Sequence, residues 1–247
     1  MSGHSKWHNI RLRKGKQDAV RGKLFTRIAK EIIIAAQSGG GSADTNVRLR
    51  MAIQTARQNS MPSENIKRAV QRGTGELGGA NLVEMVFEGY GQGGVAILVE
   101  CLSDNHNRTY PDVRAIFGKG GGRMGETGSV SYMFAQKGMI LIESGVTTED
   151  ELMEVAIDAG AEDVQPTEDG GFEVTTALRD FAAVRDALDA AKIKYETAEI
   201  TRIPATTVQL PADEEEQFIK LIDKLEEYDD VQNVHHNCEL SESAMDD

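Results

Sequence analysis

The glycine pair Gly78-Gly79 divides the chain by hydrophobic period. Before it, apolar residues recur at helical spacing. After it, short β-like runs alternate with helical ones. Each period commits its apolar face to a different kind of neighbouring layer, so a chain that changes period once is neither one bundle nor one sheet. At 247 residues the chain is also long for a single core, and two or three domains are expected.

From Gln17 onward Val20, Leu24, Ile28 and Ile32 recur every fourth residue, with Phe25, Ala29 and Ala36 widening the stripe. At about 100° per residue, Lys23, Arg27 and Lys30 gather on the opposite side. Gly39-Gly40-Gly41 stops this helix, and Asp44 or Asn46 can cap the next. In the second helix Leu49, Ala52, Ile53 and Ala56 share one face, and Arg50 and Arg57 share another. Met61-Pro62-Ser63-Glu64 restarts the chain, with Ser63 as the expected N-cap. Ile66, Ala69 and Val70 then face inward, and Lys67, Arg68 and Arg72 stay outside. Residues 17–73 read as a three-helix bundle. Residues 1–16 have no apolar periodicity and read as an arm that orders on its partner. Trp7, the single tryptophan, either stacks on a base or pins this arm to the bundle.

Beyond the boundary, Val83–Glu88 and Val95–Cys101 read as strands around a glycine-rich turn. Asn107–Phe117 reads as a helix, Gly118–Gly128 as a glycine loop and Ser129–Phe134 as a strand. A full βαββαβ run follows, from a strand at Met139–Glu143 to one at Tyr195–Ile203, which is the element order of a ferredoxin-like domain. After Pro204 a strand (Thr206–Leu210), a helix (Glu214–Glu227) and a strand (Val231–Asn237) remain, too little for a domain alone. Joined to residues 82–134 they complete a second sheet. The expected fold is α plus α/β: an N-terminal three-helix bundle, then two ferredoxin-like α/β domains, one inserted in the other. The domains expected are 1–78 (basic, helical, with its arm), 79–135 with 205–238 (split), and 136–204 (inserted). An acidic tail at 239–247 is expected to lack order.

Charge separates along the same boundary. Residues 1–78 hold fifteen Lys and Arg against five Asp and Glu, and the remainder carries −23 of a chain whose formal net charge is −13. A basic module on an acidic body points to a polyanion, hence to nucleic acid. The candidate contacts are Lys6, Trp7, Arg11, Arg13, Lys14, Lys16, Arg21, Lys23, Arg27 and Lys30 in the arm and first helix, and Arg50, Arg57, Lys67, Arg68 and Arg72 beyond them. Asn105, Asn107 and Arg108, with Lys119 and Arg123, form two candidate recognition loops, because loops held by a scaffold carry function.

Other chemistries find little support. Gly120-Gly121-Gly122-Arg123-Met124-Gly125 fits G-x-G-x-x-G, but it follows a helix and precedes a strand, the reverse of a dinucleotide site. His4 with His8, and His235-His236 with Cys238, lack ligand spacing for a metal. The acid runs at Glu149 and Asp213 begin helices, where negative charge is favoured by the macrodipole. No nucleophile–base arrangement stands out. No catalytic residue, cofactor, small-molecule substrate or membrane segment is expected. Cys101 and Cys238 read as reduced, partly buried thiols of a cytoplasmic protein.

Three stretches carry a resemblance to a known family: GHSKWHNIRLRKGKQDAVRGKLFTRIAKEI, NVRLRMAIQTARQNSMPSENIKRAVQRGTG, and FEGYGQGGVAILVECLSDNHNRTYPDVRAIFGKGGGRMGETGSVSYMF. They resemble the hallmarks of the YebC family, whose mitochondrial relatives are translational activators. The chain departs from that pattern at Val47, at His106 and at Gly121-Gly122-Arg123. The resemblance implies a three-domain, cytoplasmic, non-enzymatic protein. It implies either a DNA-binding transcriptional regulator or a factor that acts on ribosomal RNA at the ribosome to relieve stalling.

Overall fold

The computed structural model of the chain describes residues 21–78, 81–167 and 169–241. Three helices come first: α1 (Arg21–Gly39), α2 (Val47–Gln58) and α3 (Ser63–Gly73). Their inward faces meet in one aliphatic core of Ile28, Ile32, Ala35, Ala36, Leu49, Ala52, Ala56, Met61, Ile66 and Ala69. Helix α1 ends at Gly39, and Gly40 takes a positive φ of 83°. Asn46 then serves both helix ends. Its Oδ1 accepts from Leu49 N at 3.0 Å, and its Nδ2 donates to Ala35 O at 2.8 Å and Gly40 O at 2.9 Å. One buried amide thus satisfies an orphan donor of α2 and two carbonyls at the close of α1. Ser63 is not the cap of α3. Pro62 holds that position at φ −57°, and its carbonyl accepts the first bonds of the helix, from Asn65 N and Ile66 N. Its ring presets the backbone angle without a capping side chain.

The chain forms two compact units. One holds the helices and everything described up to Ser131, together with Leu210–Cys238. The other holds Tyr132–Gln209. In the first unit, β1 (Val83–Tyr90) and β2 (Ala96–Ser103) form a hairpin, followed by α4 (His106–Lys119) and β3 (Arg123–Met124). The returning segment adds α7 (Ala212–Glu226) and β8 (Val231–His236), and the antiparallel sheet runs β3-β1-β2-β8. Helices α4 and α7 cover one face: Phe87 of β1 meets the rings of His106 and Tyr110, and Phe218 of α7 meets His236 edge-on.

The second unit is β4 (Phe134–Ile142), α5 (Glu149–Asp158), β5 (Ala161–Pro166), β6 (Phe172–Ala177), α6 (Phe181–Ala190) and β7 (Thr197–Pro204). Its all-antiparallel order β5-β6-β4-β7 is that of a ferredoxin-like sheet. The split sheet has the same make-up of four strands and two helices, with its first two strands paired as a hairpin.

Three local expectations differ from the structure. The glycine loop is not free of structure, because Arg123 and Met124 pair with Tyr90 and Gly89 as the edge strand β3. This approach needs its glycines: a Cβ on Gly89 would lie 2.6 Å from Arg123 O, and one on Gly122 would lie 2.7 Å from Tyr90 O. Residues 129–133 are not a strand. The buried carboxylate of Glu88 takes the N–H groups of Gly128, Val130 and Ser131, each at 2.7 Å, and a 3-10 turn follows at Ser131–Met133. Those donors are no longer available to a ladder. Burial pushes the Glu88 carboxyl up, but the three amides outweigh it and hold it below the usual range. The expected strand at 206–210 shrinks to Val208–Gln209.

Candidate nucleic-acid interface

The cations expected to meet nucleic acid fall into two groups according to what their ends touch. On α1, Lys23 Nζ donates to Glu227 O at 2.9 Å and Arg27 Nη2 to Glu226 O at 2.6 Å. Lys30 Nζ donates to Leu102 O at 3.1 Å, Asp229 O at 2.8 Å and the Asp230 carboxylate at 2.8 Å. Glu226 is the last residue of α7 and Glu227 its C-cap. The carbonyls there lack intrahelical donors and mark the negative end of the helix dipole. The α1 stripe caps that end.

Asp230 lies at the centre of this contact. Its carboxylate also accepts from Ser103 Oγ at 2.9 Å, Thr109 Oγ1 at 2.9 Å and Arg108 Nη2 at 2.8 Å. Burial alone would raise its pKa. The donors Lys30, Arg108, Ser103 and Thr109 more than reverse that and hold the carboxyl well below the usual range. The same partnership, Asp230 first, holds Arg108 above its ordinary value. Tyr228 donates to Asp112 at 2.9 Å. Its phenol is pushed up to about 12, by burial and then by that bond. The Cys101 thiol is likewise pushed up to about 12, by burial and then by the charge of Asp230. Cys101 and Cys238 are both buried, and neither is in a disulfide.

The Asn105–Arg108 segment is drawn into the same network. Asn105 caps α4 through a bond from Arg108 N at 3.2 Å, and its own N–H donates to Ser103 Oγ at 3.2 Å. Arg108 also bridges to Asp104 at 3.2 Å. Asn107 is exposed.

The second group points outward. Arg57, Lys67 and Arg72 on α2 and α3 are exposed and have no partner among the described residues. Arg68 makes an i,i+4 pair with Glu64 at 3.5 Å, with both side chains about two-thirds exposed. Arg50 is half-buried. Lys119 is exposed in the last turn of α4, and the Arg123 guanidinium sits 5.3 Å from the centre of the Tyr90 ring. Arg48 is used inside the unit, with Glu31 at 2.7 Å and Glu84 at 2.6 Å. Lys6, Trp7, Arg11, Arg13, Lys14 and Lys16 lie outside the described residues, and Arg21 opens α1.

Sequence reasoning missed Asp230, Ser103, Thr109 and Glu88. Tyr228-Asp229-Asp230 reads as a polar turn after a helix, and nothing local marks Asp230 as a hub for residues more than a hundred positions away. No group of three metal-ligating side chains occurs among the described residues, and none of the described helices is long and apolar enough to cross a membrane.

A basic helical module joined to two antiparallel α/β sheets, one interrupting the other, is a specific combination. Residues 5–76 match the TACO1/YebC protein N-terminal domain, and residues 82–238 match the TACO1/YebC second and third domain. The chain belongs to the TACO1/YebC family. It is 52% identical over 244 residues to a "Probable transcriptional regulatory protein" of Pelotomaculum thermopropionicum, covering 98% of this chain and all of the relative. It is 51% identical to a similarly named protein of Syntrophobacter fumaroxidans, over 100% of this chain and 99% of the relative. The crystal structure of a conserved hypothetical protein from Aquifex aeolicus superposes with a TM-score of 0.82 at 44% identity, covering 91% of this chain and 93% of that one.

Proposed function

We propose that the protein is a non-enzymatic, cytoplasmic regulator of gene expression that binds nucleic acid through its basic helical module. The observation that carries this reading is the set of exposed cations Arg57, Lys67 and Arg72, without partners among the described residues, on a chain of net charge −13. Cations left in solvent are available to phosphates, and their release of counterions makes such binding salt-dependent. Relatives named as probable transcriptional regulatory proteins support a DNA-binding transcriptional regulator as the first form of this proposal. The arm residues Lys6, Trp7, Arg11, Arg13, Lys14 and Lys16 are its proposed leading edge, with Asn107, Lys119 and Arg123 as secondary contacts.

One observation favours a second form. The −23 carried beyond residue 78 repels a long duplex laid across the molecule. An irregular RNA, such as ribosomal RNA, offers phosphates and unstacked bases over a smaller footprint. Sedimentation of the endogenous protein through a sucrose gradient, with and without ribonuclease, separates the two forms. Ribonuclease-sensitive co-migration with ribosomal subunits supports the translational form. A slow-sedimenting protein that protects specific duplex sites supports the transcriptional form. Binding to neither, at low salt, ends the proposal.

A further inference from the structure

The spacing of the α1 cations predicts a binding stripe, yet their ends are occupied by carbonyls and by Asp230. Asp230 joins two separate segments. Its Oδ1 holds Lys30 of α1, and its Oδ2 holds Arg108 and Thr109 in the first turn of α4. The carboxylate is only 8% exposed, and Lys30 only 17%. The helices also meet the sheet through Arg48 with Glu84 at 2.6 Å and Gln37 with Leu82 O at 3.2 Å, both at the start of β1, so the bonds of Lys23, Arg27 and Lys30 are the ones that reach the end of α7 and the corner between β2 and α4. We infer that Lys23, Arg27, Lys30 and Asp230 form a latch that fastens the helical module to the split sheet as one rigid body. The latch presents the exposed cations of α2 and α3 in fixed register with the first turn of α4.

The latch and plain electrostatics predict opposite signs. Neutralising Asp230 removes a negative charge, and by Coulomb attraction alone that should tighten binding to any polyanion. A latch predicts weaker binding, because the two faces lose their fixed geometry and ordering them again costs free energy on association. This binding arm rests on the nucleic-acid reading above. The geometric arm does not.

Spin labels at Gln58→Cys on α2 and Ala115→Cys on α4, both exposed positions, report the geometry in the full chain. The native cysteines are buried and stay unlabelled. The expected result is a narrow inter-label distance distribution that broadens in Asp230→Asn and in a Lys23→Met, Arg27→Met, Lys30→Met variant. The amides of β1 and β2 in the split sheet should keep their hydrogen-exchange protection, which shows that the unit carrying the substitutions stays folded. Binding of a labelled random-sequence duplex and of a labelled RNA hairpin should weaken in Asp230→Asn by about tenfold, a change of about 1.4 kcal/mol. An unchanged distance distribution in both variants overturns the latch. Broadening together with tighter binding by Asp230→Asn overturns the fixed register. Broadening with no binding by the unmutated protein retains the latch and removes the nucleic-acid reading.

Discussion

Lys23, Arg27 and Lys30 on α1 follow a spacing of four and three residues, and Lys67, Arg68 and Arg72 on α3 lie within the same two turns of helix. By helical geometry the two sets are equivalent: each lies away from an aliphatic stripe that enters the common core. Their surroundings make them different. The α1 set ends on the C-terminal carbonyls of α7 and on Asp230. The α3 set ends in solvent, apart from the loose pair of Arg68 with Glu64. A cationic stripe states only that a helix face is polar. Whether that face meets a partner molecule or the rest of its own chain depends on what the fold lays against it.

The largest effect that separates the two sets is expected at Asp230. Asp230→Ala removes the buried acceptor shared by Lys30, Arg108, Ser103 and Thr109; Lys30 keeps two carbonyls and Arg108 is half exposed, so the cost is that of lost buried hydrogen bonds, about 1–3 kcal/mol. Urea unfolding would measure it, and a loss below about 1 kcal/mol would place α1 in the same class as α3. Acid sharpens the same contrast. The folded-state pKa of Asp230 lies below the unfolded value of about 3.9. Its stabilisation is therefore full well above that value and is lost as pH falls through it toward the folded pKa. Between about pH 5 and pH 2 the unmutated protein should lose stability more steeply than Asp230→Asn, and parallel pH profiles would contradict the assignment.

On the other side of the comparison, replacing Arg57, Lys67 and Arg72 together with Ala should change stability by less than about 0.5 kcal/mol per site. The same variant should flatten the salt dependence of duplex binding by about 0.9 in log–log slope for each phosphate that is no longer neutralised. A marked drop in unfolding midpoint with unchanged binding would reverse the roles assigned to the two sets. The smallest effect is expected at Arg68→Ala, about 0.3–0.5 kcal/mol for an exposed i,i+4 pair, visible only at low salt.

The bundle was legible because its aliphatic residues keep a 3.6-residue period, and the inserted unit because its six elements follow one another without interruption. The split sheet was harder. Its edge strand β3 is two residues long and lies inside a glycine run, so no alternation announces it. Residues 129–133 alternate as a strand would, and only the capture of their amides by Glu88, about forty positions earlier, diverts them. Gly39-Gly40-Gly41 signals the end of the first helix, but the double duty of Asn46 across two helices has no local signature.

Sequence alone was enough to establish three things: the change of period at Gly78-Gly79, the segregation of positive charge before it, and the family hallmarks. These are properties of neighbouring residues, set by backbone periodicity and composition. The job of each cation was decided only in three dimensions. Lys30 and Asp230 are two hundred residues apart and meet because the chain leaves the split sheet to build an entire unit, Tyr132–Gln209, and then returns. A charge becomes structural when the fold buries it against a partner and becomes available for binding when the fold leaves it in water. The pairing that decides between them is long-range, and no spacing rule contains it.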